Sequence, residues 1–179
     1  SHCHERNGYW AVNFKAEDVE IEGKCFEFSN DPRSVQDKNR CNEIGGVWMT
    51  DNAGTTWDPI FDNETSYSIG AIAIDSSSPN IIWVGTGENV GGRHVAYGDG
   101  IYRSSDGGKS WKNMGLKKSE HISKIVIHPT NSNIIWVASQ GPLWSKGGER
   151  GIYKSIDGGK NWKRTLGDNK WVGATDLLI

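Results

Sequence analysis

No stretch of this chain approaches the roughly 20 consecutive apolar residues that a membrane-spanning helix needs, so no membrane span is expected. No basic start followed by an apolar stretch marks a secretion signal in these residues. The net charge of −2 argues against a surface built to track a phosphate backbone, which sets nucleic acid aside as a partner. Nucleophile elbow, phosphate loop and complete metal signature are all missing, so no cofactor is expected. Cysteine is sparse, three in 179 residues, and none follows Cys41. What the chain has in excess is glycine, 23 residues and close to twice the usual share, together with nine tryptophans. That pairing fits short strands joined by tight turns, with indoles wedged between them.

The organising stretch is Ser104-Ser105-Asp106-Gly107-Gly108-Lys109-Ser110-Trp111, because it recurs. It returns as Ser155-Ile156-Asp157-Gly158-Gly159-Lys160-Asn161-Trp162 and, more loosely, as Thr50-Asp51-Asn52-Ala53-Gly54-Thr55-Thr56-Trp57. Each part has a job in a tight turn. The Asp or Asn side chain is expected to bond the backbone two residues on, and the Gly takes positive φ without a Cβ clash. The leading Ser or Thr ties the other end of the turn, and the Trp packs between sheets. The tryptophans Trp57, Trp111 and Trp162 stand 54 and 51 residues apart, a spacing in the range of propeller blades.

The flanks repeat as well. Ile69-Gly70-Ala71-Ile72-Ala73-Ile74-Asp75 matches Ile122-Ser123-Lys124-Ile125-Val126-Ile127-His128, and Asn80-Ile81-Ile82-Trp83-Val84 matches Asn133-Ile134-Ile135-Trp136-Val137. Gly100-Ile101-Tyr102-Arg103-Ser104 likewise matches Gly151-Ile152-Tyr153-Lys154-Ser155. Each unit therefore reads as four antiparallel strands, with a Ser/Pro/Asn-rich turn after the first, a long loop after the second and the Asp-containing turn after the third.

From about Gly45 to Ile179 the chain resembles the BNR or Asp-box β-propellers, a group that includes sialidases, sortilin-type receptor domains and secreted bacterial repeat proteins of glycosyl-hydrolase type. The phrases Gly45-Gly46-Val47-Trp48, Tyr97-Gly98-Asp99-Gly100 and Gly141-Pro142-Leu143-Trp144 are most similar to the last of these. The resemblance implies an all-β fold, a partial β-propeller of four-stranded antiparallel blades with Asp-box turns at Asn52, Gly54, Trp57, Asp106, Gly108, Trp111, Asp157, Gly159 and Trp162. It also implies that these turns are structural and lie on the face away from the ligand, and that the protein is secreted or periplasmic. Residues 46 to 61 supply half a blade, 68 to 114 and 121 to 164 two full ones, and 173 to 179 align with the first strand of another. Since closed propellers have about four to eight blades, the chain reads as a piece of a longer protein or as a subunit that completes a ring through its open edges.

Residues 1–44 do not repeat. Alternating runs at Val19-Glu20-Ile21 and Cys25-Phe26-Glu27-Phe28 offer substitute strands for the first blade, and a separate small module is the other reading. Cys25 and Cys41 close a loop that, bridged in an oxidising compartment, would stabilise by about 3 kcal/mol; three reduced thiols are the alternative. Cys3 is left over, within a Ser1-His2-Cys3-His4 run better read as an untethered end than as a metal site. Asn63-Glu64-Thr65 has the glycan-acceptor pattern, relevant only in a eukaryotic secretory pathway.

In a four-stranded blade the loops after the second and fourth strands emerge opposite the Asp-containing turns, which makes the loop from Gly87 to Asp99 the candidate binding rim. Arg93, His94 and Tyr97 lie on it. In the next blade Trp144 and Arg150 occupy the equivalent loop, where an exposed indole stacks on a sugar ring while polar groups read its hydroxyls. The competing reading has Trp144 packed beneath its loop and each arginine holding its own loop together. Glycoside hydrolysis needs two carboxyl groups, for which Glu88, Asp99, Glu149 and Asp176 are available, and a sialidase-like site would use Arg93, Arg150 and Tyr97. The expectation is a ligand-binding scaffold for carbohydrate or a protein partner. Part of a secreted glycoside hydrolase is the alternative, and a structural assembly subunit the third.

Overall fold

The computed structural model describes residues 25–29, 46–89 and 96–179, the first five by their backbone alone. Val19 to Ile21, Cys3, Cys41, Arg93 and His94 lie outside the described residues, and with Cys41 so does the bridge to Cys25. The chain divides into two compact units, with the boundary between Tyr67 and Ser68.

The first unit holds one sheet. Strands β1 (Cys25–Ser29), β2 (Gly46–Thr50) and β3 (Asp58–Pro59) lie in that order, all antiparallel, with Cys25 opposite Thr50 and Ser29 opposite Gly46. The Cys25-to-Phe28 run is thus a strand, and it pairs with the half blade that begins at Gly46.

The second unit holds two four-stranded antiparallel sheets. One runs β4 (Ile69–Ile74), β5 (Ile82–Thr86), β6 (Ile101–Ser104), β7 (Lys112–Asn113). The other runs β8 (Ile122–His128), β9 (Asn131–Ser139), β10 (Gly151–Ser155), β11 (Lys163–Leu166). Every strand pairs with its neighbour in sequence, the meander expected of a blade. All five residues of β5 are buried and all four of β11 exposed, which explains why the second strand is a continuous apolar run and the fourth is polar. The residues from 173 to 179, expected as a further first strand, are not a strand: Ala174 donates to Ser139 O at 2.9 Å, and Lys124 meets Asp176 at 3.6 Å. A strand needs a ladder on one side at least, and these two contacts supply none.

The two sheets pack face to face. Ala71, Ala73, Trp83, Ile101 and Leu116 meet Ile122, Ile125, Ile135, Val137 and Tyr153 in one core. Matching residues even make the same cross-strand pair: Arg103 lies opposite Trp83 with its guanidinium 5.8 Å from the ring, and Lys154 lies opposite Trp136 with its ammonium at 4.8 Å. Trp162 sits edge-on to Trp83, ring centroids 6.2 Å apart, and its indole N–H donates to Met114 O at 2.8 Å. The turn tryptophan does wedge between sheets.

The three turns are built alike. Ser104 Oγ accepts from Gly108 N at 2.8 Å and donates to Asp106 Oδ1 at 2.8 Å, while Asp106 accepts from Ser110 N at 2.9 Å. Ser155, Asp157, Gly159 and Asn161 repeat this at 2.9, 2.8 and 3.0 Å, and Thr50, Asn52, Gly54 and Thr56 at 2.9, 3.0 and 2.9 Å. The carboxylate therefore reaches four residues on, not two, because the hydroxyl ahead of it occupies the nearer amides. Gly54, Gly108 and Gly159 take φ of 82°, 86° and 85°, which a Cβ would oppose.

Hydrogen bonds from Ser110 and Ser104 hold Asp106 at a pKa of about 2, below the ordinary 3.8. Those from Asn161 and Ser155 do the same for Asp157. A folded-state pKa below the unfolded one adds stability that is present above about pH 3.8 and is lost as pH falls towards 2. Asn52 shows that a neutral amide supports the same turn. Asp106→Asn is therefore expected to keep the fold at neutral pH while removing part of the acid-side fall in melting temperature. Thermal unfolding across pH checks this, and a variant with an unchanged acid limb would contradict it.

Candidate functional site

The loops opposite these turns converge on the segment Ser119-Glu120-His121, which leads into β8. Gly98 donates to Glu120 O at 2.7 Å, and Gly87 approaches so closely that a Cβ there would overlap that carbonyl. Glu120 itself takes φ 57°, the left-handed region that side chains other than glycine, asparagine and aspartate seldom enter. His121 is fully buried. Its Nδ1 lies 3.0 Å from Glu88 O, and since a carbonyl only accepts, Nδ1 carries the proton and Nε2 is left as a bare acceptor. Nε2 and the Ser119 hydroxyl are both buried without a hydrogen-bond partner. Burial pushes the Glu120 carboxyl above its usual range, against the pull of Arg150, and pushes the His121 imidazole below its own, against its bond to Glu88. Tyr97, exposed on the neighbouring loop, places its ring 5.5 Å from that of His121. Behind them Gln140 donates to Asn89 Oδ1, and Asn89 to Ser123 O at 3.2 Å.

The second loop, from Ser139 to Arg150, is cinched from inside. Arg150 is only 6% exposed. Its Nε donates to Gly147 O at 2.7 Å, Nη1 to Gln140 O at 3.1 Å, and Nη2 to both Pro142 O and Ser145 O. A guanidinium has five fixed donors, and four carbonyls of one loop take up four of them. Of the two readings of this arginine, the geometry is that of the loop-holding one, so its head does not face a ligand. Two flanking segments brace the loop: Glu149 N donates to Lys118 O at 3.0 Å, Lys118 N to Glu149 Oε2 at 2.7 Å, and Gly147 N to Lys170 O at 2.9 Å.

On this fixed mount stands Trp144, 70% exposed rather than tucked beneath its loop. Trp171 is 64% exposed on the segment that braces the loop from the far side. Trp171 is not among the residues expected at the site, although a signal exists: between residues 45 and 179, once the strand and turn tryptophans are assigned, Trp144 and Trp171 are left with no counterpart in the repeat. Glu120 had no such signal, since its conformation depends on the closure of loops around it.

The remaining carboxyl candidates are dispersed. Glu149 is engaged with Lys118 through one oxygen, and Asp176 is an exposed partner of Lys124. Asp99 accepts from Tyr102 at 2.6 Å and from Thr86 at 3.4 Å, which places it among loop-supporting bonds. Glu88 contributes its carbonyl to His121. His128, the last residue of β8, accepts from Thr130 N at 3.2 Å and so caps the turn that follows. Among the described residues no cluster of three or more His, Cys, Asp or Glu is placed to hold a metal.

No family model matches the chain. A curated protein of Neosartorya fischeri, described as a probable oligoxyloglucan-reducing end-specific xyloglucanase, is 27% identical over 152 residues, covering 80% of this chain and 17% of that protein. Among solved structures, the GH74 enzyme of Niastella koreensis superposes with a TM-score of 0.55 at 22% identity, over 83% of this chain and 20% of that one. An ancestral GH74 enzyme gives 0.56 at 21% identity, over 85% and 18%. The GH74 xyloglucanase of Xanthomonas campestris gives 0.51 at 17% identity, over 82% and 22%. The chain thus spans about a fifth of the length of the proteins it is similar to, and its fold is that of their β-propeller blades.

Proposed function

We propose that this chain forms part of the carbohydrate-binding face of a secreted glycoside hydrolase of the Asp-box propeller kind, acting on xyloglucan or a related β-glucan. The observation that carries this reading is the exposed indole of Trp144 on a loop locked by Arg150. An indole is costly to leave in water, and a rigid mount keeps it oriented for stacking on the apolar face of a pyranose without an ordering penalty on binding. The xyloglucanase description of the curated relative points to the same ligand chemistry, and the shared turn hydrogen bonds support the Asp-box assignment. Hydrolysis needs a proton donor and a second carboxyl. Glu120, whose carboxyl burial pushes above its usual range, has the character of the first.

Trp144→Ala is expected to weaken binding of xyloglucan oligosaccharides about tenfold, close to the 1.4 kcal/mol that one lost stacking contact represents. Isothermal titration calorimetry measures it. A wild-type chain that binds neither xyloglucan nor cello-oligosaccharides would sink the proposal.

A further inference from the structure

Two large indoles are left in water on adjoining loops, and neither owes its exposure to a loose mount. Trp144 is fixed through Arg150. Trp171 N donates to Asn169 Oδ1 at 2.8 Å and Val172 N to Asn169 O at 3.3 Å, an Asx-stabilised turn that sets the backbone at Trp171. The two mounts are joined by the bond from Gly147 N to Lys170 O, so from Trp144 to Trp171 the path is three residues, one hydrogen bond and one residue. At the reach of an extended chain this places the two Cα atoms at most about 20 Å apart.

We infer that Trp171 is a second sugar-stacking position, and that this face takes an extended β-linked glucan chain that lies across Trp144 and Trp171 together. The inference rests on the carbohydrate reading above and adds the length and direction of the ligand. A chain that reaches both rings turns the second contact into an intramolecular event, so its affinity exceeds that of a short sugar held on one ring. A ligand too short to span gains nothing from the second ring. Both indoles are exposed, so neither substitution removes core packing.

The test is calorimetric titration of the wild-type chain, Trp171→Ala and Trp144→Ala with cellobiose and cellohexaose. Melting temperature and near-ultraviolet dichroism of each variant serve as the check on folding. Wild type is expected to bind cellohexaose about tenfold or more tightly than cellobiose. Trp171→Ala should lower cellohexaose affinity to near that for cellobiose, whereas Trp144→Ala should weaken binding of both. A Trp171→Ala chain that keeps the long-chain gain, or a wild type that binds both sugars equally, overturns the second position while the carbohydrate reading stands. A wild type that binds neither overturns both.

Discussion

Replacing Arg150 by Met is expected to release the loop that carries Trp144 and to destabilise the chain by about 3–5 kcal/mol, since each carbonyl left buried without a donor costs about 1–3 kcal/mol and some of the four regain water. Met keeps the length of the stem and much of its volume, so the substitution isolates the loss of hydrogen bonds from the loss of packing. Four carbonyls, those of Gln140, Pro142, Ser145 and Gly147, lose their donor at once. Some would find water, since the loop lies at the surface, but only by opening away from the sheet. The bonds from Gly147 to Lys170 and from Glu149 to Lys118 depend on the closed shape of the loop. Hydrogen exchange at those two amides should therefore speed up by about a hundredfold or more, far beyond any change within β9. Arg150→Lys is the informative companion, because a single ammonium cannot reach carbonyls spread around a fork. It should recover the charge and little of the protection. If exchange at Gly147 and Glu149 stayed slow in both variants, the loop would be held by something other than this arginine, and the account of Trp144 as a preorganised platform would fail.

Where the chain could be read in advance, a local rule and a repeated one agreed. The turn residues announce themselves because positive φ, a hydroxyl cap and a carboxylate can be satisfied within eight residues, and three copies exclude chance. Even there the register of the carboxylate differs from the local rule, since which amide it meets depends on which amides the preceding hydroxyl has already taken. Trp144 was legible as a residue and undecided as a surface. Its exposure follows from the inward turn of Arg150, six positions on, and no pattern in one sequence tells an arginine that grips its own loop from one that grips a ligand. Glu120 and His121 were harder still. Their anomalies, a left-handed backbone and an imidazole nitrogen buried without a donor, exist only once Gly87 and Gly98 have closed against them from a segment more than twenty residues away. Residues 173 to 179 mark the opposite limit. Their pattern matches that of a first strand, yet periodicity states only what a segment could pair as, and pairing needs a neighbour.

The same turns contain a second large effect, set by one atom. Adding a methyl group at Gly159 is expected to cost about 3 kcal/mol, whereas the same addition one residue earlier, at Gly158, should cost only about 1 kcal/mol. Both glycines have positive φ, 85° and 71°, so backbone strain alone does not separate them. The first turn settles what strain costs at the earlier position, because Ala53 occupies the place of Gly107 and Gly158 at φ 56° in the native chain. A Cβ at Gly158 would meet Asn133 Oδ1 at 3.2 Å, an exposed amide with room to give. A Cβ at Gly159 would instead overlap the six-membered ring of Trp83, which is fully buried and hemmed in by Trp162 and the core of both sheets. Close-packed interiors do not yield at such a point, so the sheets must separate or the indole must leave its rotamer. For a domain of this size the melting temperature should fall by roughly 10 °C for Gly159→Ala and by about 3 °C for Gly158→Ala. In the double variant Gly159→Ala with Trp83→Leu the methyl group would have space, so its added cost should shrink well below that in the parent. Equal losses for the two single variants would mean that the turn itself, and not the fit of one blade's glycine against the preceding blade's indole, sets the stability of the sheet pair. The expected inequality would make that contact the reason the last glycine of the motif cannot vary, while Ala53 shows that its neighbour can.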